Sequence, residues 1–229
     1  MSLVKESRSR FSSIEWADQV REITVGGVGT IGSNIAIPLA RSAEHTILLY
    51  DDDVIDMVNL SGQMFSKTDI GKRKVDVVRD LILSFTEAED RNIHSFNSRI
   101  EDGTYVSPVC FSCFDNMKAR RAMFDNWKKL ENKEIFIDGR MTIESYEVYA
   151  VTPDLIDMYE KTLFSDEEVP DQICSLKNTT HTGFLIAGRM MSTFTNHLAN
   201  VATGIAFREV PFYFREDMVL QRIDTEYDH

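Results

Sequence analysis

The stretch REITVGGVGTIGS, residues 21–33, decides the fold of this chain. Its first five residues have the composition of a short buried strand, and they run straight into glycines. Residues 30–43 follow with apolar side chains at helical spacing, although Pro38 should kink or shorten that helix. The order of strand, glycine turn and helix predicts the opening unit of a nucleotide-binding α/β fold.

The glycines of this turn match a motif for phosphate binding. Gly27, Gly29 and Gly32 spell G-x-G-x-x-G between the predicted strand and the predicted helix. Glycines permit a tight turn and a close approach of the ligand, and the helix N-terminus offers backbone N–H groups to a phosphate. The alternative is a glycine-rich turn that packs the helix on the strand without any ligand.

Strands and helices continue to alternate through residue 138. Further strands are predicted at 45–51, 92–100, 105–114 and 134–138, and helices at 69–85, where Asp69 is a candidate cap, and at 116–130. This alternation predicts an α/β fold with a Rossmann-like, mostly parallel sheet and helices on both faces.

The second half of the chain has a different pattern. An alternating segment at 141–153 resembles an antiparallel strand, 154–180 is polar and irregular, 183–203 is a long apolar helix, and 209–223 holds one or two strands. We expect this half to add antiparallel strands to the same sheet. Residues 1–229 would then form a single domain, with a nucleotide-binding half at about 20–138 and the remainder at about 139–229.

The bulk properties narrow the class of protein. The net charge of the 229 residues is −12, which argues against nucleic-acid partners and anionic membrane surfaces, because both need a surplus of lysine and arginine. No apolar run approaches the ~20 residues needed to cross a bilayer, and the N-terminus lacks the apolar core of a signal peptide. With three cysteines and no disulfide pattern, we expect a cytoplasmic protein.

Acidic residues follow the second predicted strand. Asp51 ends that strand about 20 residues after the glycine turn, where an acidic residue contacts the ribose in nucleotide-binding folds. Asp53 points to the same side of an extended chain, whereas Asp52 and Asp56 have the character of solvated loop charges. At this level NAD, FAD, SAM and ATP all remain possible ligands.

Three further segments narrow the choice. The segments DDDVIDMVNLSGQ (51–63), DIGKRKV (69–75) and CFDN (113–116) occur in this order. Over roughly residues 8–205 the chain resembles the ThiF–MoeB–HesA family, the adenylating domains related to ubiquitin-activating enzymes. The resemblance implies ATP and Mg²⁺ as cofactors and adenylation of a free C-terminus on a small ubiquitin-like protein, sulfur-carrier protein or peptide. It also implies a homodimer.

The resemblance assigns roles to residues. Asp51 would contact the ribose with Asp53 beside it, Asp115 would hold Mg²⁺ next to Asn116, and the phosphates would lie against Gly26, Gly27, Gly29, Asn59, Gln63 and Lys74. Attack of a carboxylate on a phosphate brings two anions together, so cations, N–H groups and a metal are the groups that this chemistry needs. Two alternatives stay open: Lys72, Arg73 and Lys74 as a solvated helix face, and Asp115–Asn116 as an N-cap only.

The chain departs from the family pattern at several positions. Thr24 replaces the first glycine, Ser112 replaces an acidic residue, and Gly62 replaces an arginine that contacts phosphates. Either another cation substitutes for that arginine, or nucleotide turnover is weakened or lost. The family also supplies an arginine across the dimer interface, for which Arg10 is the candidate, against a disordered N-terminal arm.

The cysteines fall into two groups. Cys110 and Cys113 lie in an apolar strand, where we expect core thiols facing opposite sides, and without a second pair we expect no structural zinc. Cys174 lies in the polar segment that crosses over to the long helix, where related enzymes form a thioester. It is the candidate nucleophile, with His181 as a possible assistant, against an incidental loop thiol.

Three functions follow from these patterns. The first is an ATP-dependent adenylyltransferase of the ThiF type. The second is a non-catalytic ThiF-like subunit, suggested by Gly62 and Thr24. The third, a Rossmann NAD(P) or FAD enzyme, depends on the glycines and Asp51 alone.

Overall fold

One eight-stranded sheet organises the computed structural model, which describes residues 13–142, 144–164 and 180–227. The strand order across the sheet is β3-β2-β1-β4-β5-β6-β7-β8. The strands are β1 (Glu22–Gly26), β2 (Thr46–Tyr50), β3 (Ile93–Phe96), β4 (Val109–Ser112), β5 (Ile135–Met141), β6 (Ser145–Val151), β7 (Tyr213–Asp217) and β8 (Arg222–Glu226). Strands β1 to β5 pair in parallel and β5 to β8 pair antiparallel.

Helices cover the sheet on both faces. They are α1 (Thr30–Ser42), α2 (Lys74–Phe85), α3 (Met117–Lys128), α4 (Ile156–Glu160) and α5 (Thr180–Thr203). One apolar cluster joins the sheet to side chains of α1, α2 and α5, such as Ile35, Val78 and Phe194. A second cluster lies on the other face and includes Trp127 of α3 and Tyr159 of α4. The predicted α/β fold, with antiparallel strands added by the C-terminal half, is therefore confirmed.

The topology places a crevice at one edge of the sheet. From β1 the chain proceeds to β2 and β3 on one side and then returns to β4 on the other side. In such sheets ligands bind outside the carboxyl ends of the strands at the point where the order reverses. That point lies between β1 and β4, where Gly26 pairs with Tyr50 and with Ser112.

Some predicted element boundaries are wrong. The helix predicted from residue 69 begins at Lys74, and Asp69 instead ends a 3-10 turn in which its carboxylate accepts from the Ser66 N–H at 2.9 Å. Helix α1 runs through the exposed Pro38, so it is not shortened there. The strands predicted at 92–100 and 105–114 are shorter, because turn and loop backbone occupies their ends. The segment predicted to be irregular from residue 154 contains α4.

The two adjacent cysteines are buried as expected. Cys113 packs in the cluster that contains Ile35, Cys110 packs in the cluster that contains Trp127, and both are free thiols. They therefore lie on opposite faces of the sheet. Burial raises the pKa of both thiols, which keeps them protonated. Over the described ranges, no helix is both long and apolar enough to cross a membrane.

Candidate functional site

The glycine turn is locked between two neighbouring strand ends. The Gly27 N–H donates to the Tyr50 carbonyl at 2.8 Å, and the Gly26 carbonyl accepts from the Cys113 N–H at 2.8 Å. Gly27 has a φ of 81°, a left-handed conformation that favours glycine. A Cβ atom on Gly32 would lie 2.0 Å from the Gly27 carbonyl oxygen, so α1 can approach the turn only because Gly32 is a glycine. These glycines have a structural role whether or not a ligand binds.

Gly29 has a different environment from the other glycines. The first atom that a Cβ at Gly29 would meet is Nε2 of Gln63, at 3.8 Å. Gly29 is the residue before the first turn of α1, and within the described residues no side chain caps that helix end. The N-terminus of α1 is thus open on the side of Gln63, and its backbone N–H groups suit an anion.

Asp51 connects the glycine turn to the acidic loop. Its Oδ2 accepts from the Val28 N–H at 2.8 Å, and its Oδ1 accepts from the Asp53 N–H at 2.9 Å. Burial raises the pKa of Asp51, and the positive charge of Lys74 works in the opposite direction. Each carboxylate oxygen keeps acceptor capacity beyond its one backbone bond, as contact with a ribose hydroxyl requires.

Lys74 is buried at the first residue of α2, and the solvated-face alternative for it is wrong. Its Nζ donates to Oδ2 of Asp53 at 2.6 Å, and its backbone N–H donates to the Asp53 carbonyl at 3.1 Å. The Lys74 side chain is 7% exposed, whereas that of Asp53 is 63% exposed. Lys72 on the preceding turn is exposed and pairs with Asp69. A cation is therefore held at the mouth of the crevice through a partner that solvent or a ligand can reach.

Asn59 and Gln63 lie on and after a 3-10 turn, Met57–Ser61. The Asn59 side-chain oxygen accepts from the Asp56 N–H at 2.8 Å and so completes a capping box. That bond leaves the amide nitrogen as the group that Asn59 can offer to a ligand. Oε1 of Gln63 is buried and has no hydrogen-bond partner among the described residues. An unpartnered buried oxygen is costly, and it marks a position where a ligand or water would complete the site.

Asp115 and Asn116 follow β4 and are both exposed. The Asn116 side-chain oxygen accepts from the Ala119 N–H at 2.8 Å, so Asn116 is the N-cap of α3. Its Nδ2 donates to Oδ1 of Asp115 at 3.2 Å. The capping alternative is therefore correct for Asn116, while the Asp115 carboxylate points away from the cap and toward solvent at the crevice.

The groups at this edge fit a nucleotide with Mg²⁺. They comprise an open helix N-terminus, an orphaned amide oxygen, a buried cation and an exposed carboxylate. Across the described ranges no three His, Cys, Asp or Glu side chains form a metal cluster. Magnesium in nucleotide enzymes is bound by one or two carboxylates together with the phosphates, so Asp115 would be a sufficient protein ligand.

Sequence reasoning missed a buried ion cluster behind the Asp115 turn. It consists of Arg120, Asp138 and Arg140. A signal was present, since Arg120 shares a helical face with Met117 and Phe124, and Asp138 ends the apolar run EIFID. A charge inside an apolar stripe is rarely buried without a partner. By contrast, Arg10 and Cys174 lie outside the described residues.

The part of the chain that contains the sheet and this crevice matches a family model. The ThiF family model covers residues 17–214. The chain belongs to the ThiF family. The resemblance drawn from the sequence motifs is thereby confirmed.

Individual ThiF-type relatives are distant. Ubiquitin-like modifier-activating enzyme 5 of Xenopus laevis is 25% identical over 224 residues, which is 85% of this chain and 55% of the relative. The protein of the same name from Caenorhabditis briggsae is 29% identical over 138 residues, 53% of this chain and 32% of the relative. The chain thus spans about half the length, or less, of these relatives.

Solved structures share the ThiF fold at lower identity. Escherichia coli MccB, solved with ATP, superposes with a TM-score of 0.69 and 15% identity, over 98% of this chain and 66% of MccB. PaaA superposes with a TM-score of 0.70 and 18% identity, over 99% of this chain and 84% of PaaA. At these identities the likeness shows the fold alone.

The departures from the ThiF pattern have distinct structural settings. Thr24 is buried, and its Oγ1 accepts from the Ser107 N–H at 2.8 Å, so it has a role in the core. Gly62 is buried after the 3-10 turn and brings no positive charge. Ser112 is buried, and its Oγ has no partner among the described residues. Of the three, Gly62 bears on the chemistry of the site.

Proposed function

We propose that this ThiF-family chain uses ATP to adenylate the C-terminal carboxylate of a small protein or peptide. The observation that carries the proposal is the convergence of Gly29, Asp51, Lys74 and Asp115 at one edge of the sheet. These residues are far apart in sequence, yet all follow or adjoin the carboxyl ends of β1, β2 and β4. A dinucleotide oxidoreductase would use the glycines and Asp51 but gives no reason for Lys74 and Asp115.

In the proposed reaction a carboxylate oxygen of the substrate attacks the α-phosphorus of ATP. The bond from that phosphorus to the oxygen bridging the β-phosphate breaks, pyrophosphate leaves, and an acyl-adenylate remains. Asp51 orients the ribose, while Lys74 and the open end of α1 at Gly29 stabilise the phosphate charge. Magnesium, held by Asp115 with Asn116 beside it, would neutralise the phosphates when bound.

The proposed substrate is a small ubiquitin-like protein, a sulfur-carrier protein or a peptide with a free C-terminus. Relatives named ubiquitin-like modifier-activating enzyme and structures of MccB with MccA support this class. We also propose a cytoplasmic homodimer, with Arg10 reaching the partner's nucleotide site. Cys174 would attack the acyl-adenylate carbonyl, form a thioester and release AMP. Replacement of Cys174 by Ser should then abolish a thiol-labile adduct without abolishing pyrophosphate exchange.

The test is titration calorimetry with ATP and MgCl₂ on matched variants. Lys74→Ala and Asp51→Asn should each weaken binding about tenfold or more, because each loses a charged contact to the ligand. The controls are Lys72→Ala and Asp52→Asn, which alter exposed neighbours of the same charge, and they should bind within about twofold of the wild type. Lack of binding by the folded wild type, or equal losses in variants and controls, would overturn the proposed site.

The second candidate is a non-catalytic subunit, and Gly62 favours it because an expected arginine is missing there. Pyrophosphate exchange separates the two functions. The chain alone, given ATP, Mg²⁺ and a cognate C-terminal peptide, should exchange labelled pyrophosphate into ATP if it is an enzyme. Tight ATP binding without exchange for any cognate peptide would favour the non-catalytic subunit.

A further inference from the structure

A buried ion cluster lies behind the turn that carries Asp115. Asp138, on β5, has no exposed surface and accepts from two arginines. Nε of Arg120 lies 2.6 Å from its Oδ1, and Nε of Arg140 lies 2.7 Å from its Oδ2. One carboxylate therefore holds two guanidinium groups in the interior, between the Asp115 turn and the segment that follows α4.

Arg120 extends from this cluster to the Asp115 turn. Its Nη2 donates to the Phe114 carbonyl at 2.7 Å, and its Nη1 reaches the Asn116 carbonyl at 3.5 Å. These two carbonyls belong to the residues on either side of Asp115. The planar guanidinium thus fixes the backbone of the turn on both sides, while the Asp115 side chain stays exposed.

Arg140 shares Asp138 but reaches a different part of the chain. Its Nη1 donates to the Thr162 carbonyl at 3.1 Å, and its Nη2 donates to the Thr162 hydroxyl at 2.9 Å. Its guanidinium carbon lies 4.3 Å from the centre of the Tyr149 ring. Arg140 is therefore a natural internal control, because it has the same buried ionic partner and bonds to a different segment.

Stability alone is a weak reason for such a cluster. Removing charges from water is costly, and packed apolar residues often stabilise a core as well as a buried ion pair does. What the cluster does provide is fixed geometry at a turn whose functional side chain makes few contacts. We propose that Arg120 and Asp138 are positioning residues that hold Asp115 in the orientation that binds Mg²⁺ together with ATP. This inference depends on the proposed function.

The experiment measures the Mg²⁺ concentration that gives half-maximal ATP binding, by calorimetry on the full chain. Arg120→Lys keeps a charge beside Asp138 but loses the fork that spans the turn, so this concentration should rise about tenfold or more. Arg140→Lys should shift it less than about twofold while lowering the melting temperature by a similar amount. Asp115→Asn serves as the reference for loss of the metal ligand.

Each outcome decides the inference. If Arg120→Lys and Arg140→Lys need the same Mg²⁺ concentration while Asp115→Asn is impaired, the positioning role is wrong and the proposed site stands. If Asp115→Asn needs no more Mg²⁺ than the wild type, the magnesium site and this inference both fail. Should Arg120→Lys not fold, the double variant Arg120→Met with Asp138→Asn removes both charges at similar volume, and its Mg²⁺ requirement decides in the same way.

Discussion

The parallel and antiparallel parts of the sheet differ in how they are covered. Four of the five residues of β1 are buried, because helices cover both faces of the parallel strands. No residue of β8 is buried, and its charged side chains face solvent. The crevice belongs to the covered part, where parallel strands bring their carboxyl ends to one edge. The difference teaches that depth of burial and placement of the site arise from the same parallel topology.

Strand β5 is the boundary between the two parts. It pairs in parallel with β4 and antiparallel with β6. Asp138 and Arg140 lie on this strand, and Asp138 pairs in register with Ser112, which closes β4 just before the Asp115 turn. The boundary strand therefore carries the ionic contacts that connect the core to the crevice.

The largest expected effect is at the boundary. Asp138→Asn leaves Arg120 and Arg140 buried without a counter-charge, so the free energy of unfolding at pH 7 should fall by about 3–5 kcal/mol. Urea unfolding monitored by circular dichroism measures this. A loss below about 1 kcal/mol would mean that the arginines find other partners and that the boundary is not held by charge.

The same carboxylate predicts a pH dependence. Burial alone would raise the pKa of Asp138, but the charges of Arg120 and Arg140 outweigh burial and hold its pKa below the ordinary value of 3.8. The stabilising contribution of Asp138 is therefore fully present above that value and is lost as the pH falls through the lower folded-state pKa. Acid unfolding curves below about pH 4 should be steeper for the wild type than for Asp138→Asn.

A matched pair of isoleucines compares the two parts of the sheet directly. Ile23 on β1 is 0% exposed and Ile223 on β8 is 58% exposed. Ile23→Ala should cost about 3 kcal/mol through lost burial and a cavity, whereas Ile223→Ala should cost less than about 1 kcal/mol. Urea midpoints provide the measurement. Equal costs would show that β7 and β8 are as integral to the core as β1.

A matched pair of helical glycines should give a smaller effect of opposite sign. Gly32→Ala would place its Cβ atom 2.0 Å from the Gly27 carbonyl oxygen, so the glycine turn must shift at a cost of about 2–3 kcal/mol. Gly188 on α5 is exposed, and nothing lies within 4 Å of an added Cβ, so Gly188→Ala should stabilise by about 0.5–1 kcal/mol. Thermal melts check both signs. Stabilisation by Gly32→Ala would contradict the tight turn.

Much of the architecture could be predicted from local pattern. The 2.0 and 3.6 residue periods and the glycine turn are set by neighbouring residues, so they predicted the alternation of strands and helices and the change of pattern after residue 138. Element ends were less accurate. Asp69 has the residue type of a helix cap, yet its carboxylate bonds to Ser66 and Lys72, and the helix starts five residues later.

By itself, the sequence determined the class of fold, the family, and the candidate residues at the glycine turn, Asp51, Lys74 and Asp115. Those residues depend on motifs that remain recognisable without any contact map. Only the tertiary structure decided that Lys74 is buried against Asp53, that Gln63 has an orphaned oxygen, and that Arg120 meets Asp138. The reason is physical: these contacts join strand ends and helix starts distant in sequence, and only the packed sheet brings them together.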